Sequence, residues 1–294
     1  MKLKVLILGY GEMGHALEYL LANKHELRIW TRSGQTILEN EAATAQIIIF
    51  CLPVTAHFDI TNRIASSLSE GSLCLSIAKG LDESGMTAAQ IFGRVLSPKH
   101  RYGVLYGPMI SEEIRLGKLA FADVALSEAE DFQRIRMLFQ GGTLTCKQVS
   151  DMTGSSWSVI LKNVYAIIFG IADELQLGDN MRGHLMVTAL AELSAIASSF
   201  GAETSTPYSY AGLGDLLTTA TSKDSHHHEL GRKLASGQFS EISGEGIHTL
   251  RMVEKYHLFD IESYSLFMLV RDIVSNPDTL KKRLNTYLNQ IKTW

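Results

Sequence analysis

What this chain can fold into is constrained most by its first fourteen residues. A short apolar run, Val5 to Leu8, stops at Gly9 and is followed by Gly11 and Gly14. A helical pattern opens at once, with Met13, Ala16, Leu17, Leu20 and Leu21 at helix spacing. A strand that ends on G-x-G-x-x-G and passes into a helix is the setting in which a dinucleotide pyrophosphate is held. Gly9 permits the tight turn, Gly11 lets backbone approach the pyrophosphate, and Gly14 lets the helix pack close to the strand. The first helical turn, with Glu12 and Met13, adds amides and the positive end of the helix dipole. Three glycines can also make nothing more than a strand–helix turn; the position and context favour the dinucleotide.

The rest of the N-terminal half repeats the strand–helix alternation. Strand-like runs lie at 27–31, 47–52, 73–77, 102–105, 121–126 and 144–149, with helical patterns around 58–68 and 88–96. The run from Ile47 to Leu52 is continuously aliphatic, as in a strand buried on both faces. Such alternation predicts a parallel, doubly wound sheet. After Asp151 the character changes to long helical periodicities, around 153–176, 180–200, 245–256, 263–274 and 278–291, with no convincing strand. The expected fold is therefore α/β: a Rossmann-like doubly wound sheet over 1–150, which binds the dinucleotide, and an all-helical substrate and catalytic domain over 151–294.

Composition narrows the function classes. With 46% hydrophobic and 20% charged residues the chain is globular, and a net charge of -4 offers nucleic acid no basic field. Cys51, Cys74 and Cys146 are widely spaced, two of them in apolar strand-like runs. They read as reduced core thiols rather than a disulfide frame or a zinc site. No signal-peptide pattern precedes the first strand, and no uncharged apolar run reaches the ~18 residues of a membrane span. The expectation is a cytoplasmic protein without membrane insertion.

Two stretches carry the chemistry. Lys162 and Asn163 interrupt the apolar run from Trp157 to Ala172, and Asp215 follows a glycine-rich turn at Ala211-Gly212-Leu213-Gly214. A buried ammonium is costly unless it is paired or has a task. A dinucleotide site followed by a desolvated lysine points to hydride transfer with lysine as acid and base: in ketone reduction the ammonium stabilises the growing charge on oxygen and donates its proton. Lys162 could instead be an ion-paired core lysine, and Asp215 a turn or capping residue. At the end of the second strand, where strict NAD readers carry an acid, the chain has Thr31-Arg32-Ser33. Arg32 suits a 2′-phosphate or stacks on adenine, or is an ordinary surface arginine. The cofactor expected is NAD or NADP, with a lean to NADP.

With these pieces in order, the chain resembles the bacterial type of NAD(P)-dependent glycerol-3-phosphate dehydrogenases, as a divergent member. The resemblance runs through Gly9 to Gly14, Cys51-Leu52-Pro53, Ala78-Lys79-Gly80-Leu81, Tyr106-Gly107-Pro108 with Glu112-Glu113, and Leu161-Lys162-Asn163-Val164. It continues through Gly178-Asp179-Asn180, Ala191-Glu192-Leu193, Ala211 to Leu216 and Gly244-Glu245-Gly246. It implies that Lys162 is the catalytic lysine, with Lys79 and Asp215 as catalytic companions. It implies substrate contacts from Asn163, Gly107, Thr219, Ser225, His226 and His227. It implies cofactor contacts from Lys79, Ser111 and Glu245, beside the fingerprint residues and Arg32. No metal is implied. Helical domains of this kind often pair as homodimers; the sequence marks no interface.

The pattern breaks at two places. The family has Ser-Arg-Asn after the Gly-Asp-Leu turn, and its arginine helps hold phosphate; here Ser225-His226-His227 stands there. Met109 stands where the family has a serine. Histidine is mostly neutral near pH 7 and lacks arginine's planar fork. Lys223 and Arg232 are the nearest basic residues, neither in register. The tract His226-His227-His228 reads as a weak anion site, a solvated helix start or, less readily, a metal site, because adjacent helical residues diverge. Asp179-Asn180 reads as a helix N-cap and Glu192 as an interhelical partner for Arg182 or Lys162. Three functions compete: interconversion of glycerol 3-phosphate and dihydroxyacetone phosphate, the same chemistry on another small hydroxy compound, and a nucleotide-binding paralogue without turnover.

Overall fold

A computed structural model describes residues 2–222, 225–240 and 242–292. The chain divides into two compact units, Met1–Ser156 and Trp157–Trp294. In the first, seven strands form one sheet: β1 (Lys4–Leu8), β2 (Glu26–Trp30), β3 (Ile47–Phe50), β4 (Leu73–Ser76), β5 (Arg101–Tyr106), β6 (Ala120–Leu126) and β7 (Leu144–Val149), in the order β2-β1-β3-β4-β5-β6-β7. Sequence pattern and position agree. The all-aliphatic β3 and the apolar β4 are central and buried at every residue, whereas the edge strands β2 and β7 carry exposed positions.

The sheet is parallel, as expected, except at one pairing. β2, β1, β3, β4 and β5 run parallel, but β5 pairs with β6 antiparallel, and β7 follows β6 in parallel. Between β5 and β6 the chain forms only the short helix α5 (Ser111–Arg115), so it turns back instead of recrossing the sheet. Periodicity identifies a strand without giving its direction. The chain passes from β1 to β2 on one side and then to β3 on the other. This reversal beside the carboxyl end of β1 is where open α/β sheets bind ligands.

Helices α1 (Glu12–Leu21), α2 (Leu38–Thr44), α3 (His57–Ala65), α4 (Ala88–Val95) and α6 (Phe132–Phe139) complete the layers with α5. Among them α4 has a full capping box between Thr87 and Gln90. The helix α2 was not legible in the sequence, because seven residues with only Leu38 and Ala42 buried make too short a periodicity. Apolar clusters fill both sheet faces, one around Ile7, Leu17, Ile49, Leu75 and Val124, the other around Leu8, Phe50, Cys74 and Phe92. All three cysteines are free, and burial pushes the thiols of Cys74 and Cys146 up to about 12.

The second unit contains helices and turns and, among the described residues, no strand. Its helices are α7 (Met152–Glu174), α8 (Asp179–Ser199), α9 (Asp215–Thr221), α10 (His226–Ala235), α11 (Glu245–Tyr256), α12 (Ser265–Ser275) and α13 (Leu280–Ile291). The helix α7 is long and apolar enough to cross a membrane, yet its apolar stretch is wholly buried in the protein, where it is the core helix. Around α7 an aromatic cluster forms, in which Trp157 stacks on Phe200 with ring centroids 4.0 Å apart.

Candidate active site

The turn from β1 into α1 has the shape the glycines imply. Gly9 has φ +96°, and a Cβ there would fall 2.8 Å from the Cys51 carbonyl oxygen. At Gly14 it would fall 2.6 Å from the Gly9 carbonyl oxygen, so the helix lies directly on the turn. Around Gly11 there is open space within 4 Å, and Gly11 is the N-cap of α1 with no side chain closing the helix end. Uncapped amides facing an open cradle fit a dinucleotide pyrophosphate. The side chains of Glu12 and Met13 are engaged elsewhere, Glu12 with Arg115 at 2.9 Å and Met13 against the core. What those two residues can offer a phosphate is backbone.

Beyond the end of β2 lies a cavity of about 620 Å³ whose wall includes Trp30, Arg32, Thr36, Glu39 and Arg63. Arg32 is exposed on it and makes no ion pair among the described residues. Arg63, which the sequence did not single out, sits on α3 with its guanidinium carbon 5.9 Å over the Trp30 ring.

The loops after β3, β4 and β5 are fastened to one another. Lys79 Nζ donates to the Gly107 carbonyl at 3.1 Å, and Tyr106 donates its hydroxyl to the Ala78 carbonyl at 3.0 Å. His57 ties the loop after β3 to the end of β4: one ring nitrogen lies 3.0 Å from the Pro53 carbonyl, the other 2.9 Å from Ser76 Oγ, which accepts from the Ala78 amide. Burial drives His57 down to about 4, so the ring is neutral. Ser111 is buried at the start of α5 and donates to Glu112 at 2.9 Å. Met109 packs into the core with Leu105 and Ile114.

In the second unit the sequence-predicted lysine has its partners. Lys162 Nζ lies 3.2 Å from Asp215 Oδ1 and donates to Thr219 Oγ1 at 2.6 Å. All three residues, and Asn163 beside them, are buried. The glycine-rich segment is a π-helical turn over Tyr210–Gly214, continuous with α9, so Asp215 and Thr219 are one helical turn apart on the same face. Asp215 is thus a helical residue rather than the turn residue its neighbours suggested. Insertions of π-helix often aim functional side chains.

Helix α10 lies against α7 at backbone distance. A Cβ on Gly170 would fall 1.9 Å from the His228 carbonyl oxygen, and one on Gly231 2.0 Å from that of Ile167. This contact gives the three histidines three different surroundings. His226 is exposed at the start of α10. His227 accepts the Gly246 amide at Nε2, 3.0 Å away, at the start of α11. His228 is buried and lies 2.8 Å from Asp173. Burial, then the charges of Lys162 and His226, push His227 down to about 3, although Asp215 opposes them. His227 is therefore neutral and cannot be the cation that an anion site would need. Ser225 caps α10 by accepting from the His228 amide at 3.3 Å. Lys223 lies outside the described residues, and Arg232 pairs with Glu174 at 3.2 Å. Glu245, half-buried in the first turn of α11, is raised above the usual carboxylate range by burial, with His248 opposing.

The chain matches the family description for the NAD-dependent glycerol-3-phosphate dehydrogenase N-terminus over residues 33–132, and that for the C-terminus over 151–285. A glycerol-3-phosphate dehydrogenase [NAD(P)+] of Gloeobacter violaceus is 32% identical, across 86% of this chain and 86% of its own length. The chain belongs to the NAD-dependent glycerol-3-phosphate dehydrogenase family. An Azotobacter vinelandii relative of the same name is 28% identical over 85% of the chain. In fold, the glycerol-3-phosphate dehydrogenase of Coxiella burnetii superposes with a TM-score of 0.83 at 22% identity, covering 96% of this chain and 98% of that one. A ketopantoate reductase of Ralstonia eutropha reaches only 0.56 at 16% identity.

Two further expectations change within this family frame. Glu192 pairs with neither Arg182 nor Lys162. It accepts the amides of Leu266 and Phe267 at 2.7 and 2.9 Å and the Tyr165 hydroxyl at 3.0 Å, so it closes the N-terminus of α12. Arg182 pairs instead with Asp173 and Asp179. Asp179 is the first residue of α8 and makes no side-chain cap; Gly178, at φ +87°, is the N-cap.

Proposed function

We propose that this protein interconverts sn-glycerol 3-phosphate and dihydroxyacetone phosphate with NAD or NADP, using Lys162 as acid and base. Residues 1–150 serve the cofactor and residues 151–294 the substrate and the proton. The observation that carries the reading is the buried Lys162 ammonium, held by Thr219 Oγ1 at 2.6 Å and Asp215 at 3.2 Å. Buried lysines are rare without a partner or a task, and here the partners fix the direction of Nζ.

The nicotinamide cofactor, when bound, supplies or accepts the hydride. The chain's own residues do the rest. The amides from Gly11 to Gly14 take the pyrophosphate, and Arg32 takes the adenosine end. Lys79, tied to the Gly107 carbonyl, braces the loops after β4 and β5. In reduction, negative charge grows on the carbonyl oxygen as its carbon gains hydride; Lys162 stabilises that charge and gives up a proton from Nζ. In oxidation the neutral amine takes the alcohol proton. Thr219 and Asp215 hold Nζ in place in both directions. Asn163, buried beside Lys162, serves the substrate, and Glu245 serves the nicotinamide end.

A second reading keeps this chemistry and changes the substrate to a small hydroxy compound without phosphate. It is favoured by the neutral His227 and by Met109 buried in the core, since neither supplies a charge for phosphate. A substrate panel followed by nicotinamide absorbance decides between them. Turnover of dihydroxyacetone phosphate well above that of non-phosphorylated ketones supports the first reading; the reverse order replaces it with the second.

A further inference from the structure

The cavity beyond β2 holds a charge arrangement that the fingerprint glycines and Arg32 leave unexplained. Arg63 turns Nε and Nη2 to a single oxygen, Glu39 Oε1, at 3.1 and 3.0 Å. Trp30, beneath the guanidinium, is itself fixed by its indole N–H donating to the Thr36 carbonyl at 3.2 Å. The charged groups on the cavity wall are Arg32 and Arg63 against Glu39 and Asp59, two of each sign. The cavity opens at the carboxyl end of β2, the place where a Rossmann domain meets the adenosine ribose.

We propose that the Arg63–Glu39 pair decides between a free and a phosphorylated adenosine ribose. The inference rests on the dinucleotide reading above and adds to it a specificity element that lies on α2 and α3, away from Arg32. With the pair closed, Glu39 presents a carboxylate that accepts from a ribose 2′-hydroxyl and repels a phosphate. A 2′-phosphate, with about -1.5 to -2 charges, competes with Glu39 for Arg63 and meets Arg32 on the same wall. The pair is cheap to open, because its side chains remain 49% and 34% exposed and exposed ion pairs contribute little. Glu39 is in its charged form when the choice is made, since its own backbone amide and Arg63 hold it below the usual carboxylate range. The native protein therefore takes both cofactors, and one substitution tips the balance in either direction.

The test is calorimetric binding at fixed salt, with NADH against NADPH. The same variants are then titrated with adenosine 5′-monophosphate against adenosine 2′,5′-bisphosphate, which read the adenosine end without turnover. Glu39→Gln should raise the preference for the phosphorylated ligand about tenfold, and Arg63→Gln should lower it about tenfold, the scale of one charge-assisted hydrogen bond. Affinity for the unphosphorylated ligand should stay within about threefold in Arg63→Gln. Thermal melts near the native value show that the exposed substitutions leave the fold intact. Ratios unchanged in both variants, or parallel losses for both ligands, overturn the inference and leave the dinucleotide reading standing. Native protein that binds neither NADH nor NADPH overturns both.

Discussion

Lys162 Nζ lies 2.6 Å from Thr219 Oγ1, and that hydroxyl gives its own proton to the Asp215 carbonyl at 2.7 Å. The hydroxyl is thereby oriented with a lone pair toward the ammonium. The same two helical residues, one turn apart, thus bind Lys162 through a side-chain carboxylate and a polarised hydroxyl. Lys162→Ala should keep its fold and cofactor affinity but lose turnover by roughly two to four orders of magnitude, the scale of general acid–base loss. Lys162→Arg should not restore it, because a guanidinium does not release its proton. Thr219→Val should lower kcat about tenfold or more with a smaller change in KM, as expected when a hydrogen bond to a charged group is removed. Near-normal turnover in Lys162→Ala would sink the mechanism.

His227 is held neutral, down to about 3, and spends Nε2 on the Gly246 amide. It therefore gains no charge between about pH 5 and 8 and adds no acid-side gain in substrate affinity. The slope of KM against pH should be the same in His227→Asn as in the native protein; a flattened slope would mean that the imidazole carried charge. Exposed His226 is the position where charge can be added. His226→Arg supplies a permanent planar fork and should tighten dihydroxyacetone phosphate about tenfold. Failure to do so, with native turnover of a non-phosphorylated ketone, would favour the second substrate reading.

Glu192 accepts from two amides and the Tyr165 hydroxyl, with Ser265 Oγ a longer fourth donor at 3.4 Å. Burial pushes its carboxyl up while these donors pull it down. Its role is structural, since it ties α8 to the first turn of α12. Glu192→Ala should cost about 3 kcal/mol of stability, as expected when several buried donors lose a charged acceptor. Denaturant unfolding measures this directly. Cofactor affinity of the folded fraction should be unchanged, and a selective loss of nucleotide binding would contradict the assignment.

Much of the site was legible because single residues broke strong local patterns. Lys162 interrupts a long apolar run, and the glycines interrupt a strand–helix boundary, so both stand out without tertiary information. The strands of the first unit were legible for the same reason, but the reversal of β6 was not, since alternation is blind to strand direction. The partner of Glu192 was missed because α12 lies more than seventy residues further along the chain. The state of His227 depends on the glycine-to-glycine approach of α7 and α10, which appears in the sequence only as two unremarked glycines. Arg63 and Glu39 belong to separate short helices, and nothing local pairs them.

His57 gives the protein a predictable acid sensitivity. Its ring packs against both Phe50 and Phe92, with centroids 4.9 and 5.7 Å away, and its nitrogens bridge the Pro53 carbonyl and Ser76 Oγ. Burial lowers its pKa to about 4, against the Pro53 hydrogen bond and the Asp82 charge, which raise it. Above about pH 6.5 the ring is neutral in both folded and unfolded chains, and stability does not depend on it. As pH falls from there toward 4, the unfolded chain binds the proton first, so stability is lost. By pH 5 the loss from this residue alone is about 2 kcal/mol. His227, also held neutral, adds a loss of the same sign. His57→Gln should be less stable than the native protein at pH 7.5, having lost the fitted ring. Its further loss between pH 7.5 and 5 should be smaller by about 2 kcal/mol in urea unfolding. Equal pH-dependent losses in the two proteins would show that His57 is not held neutral in the fold.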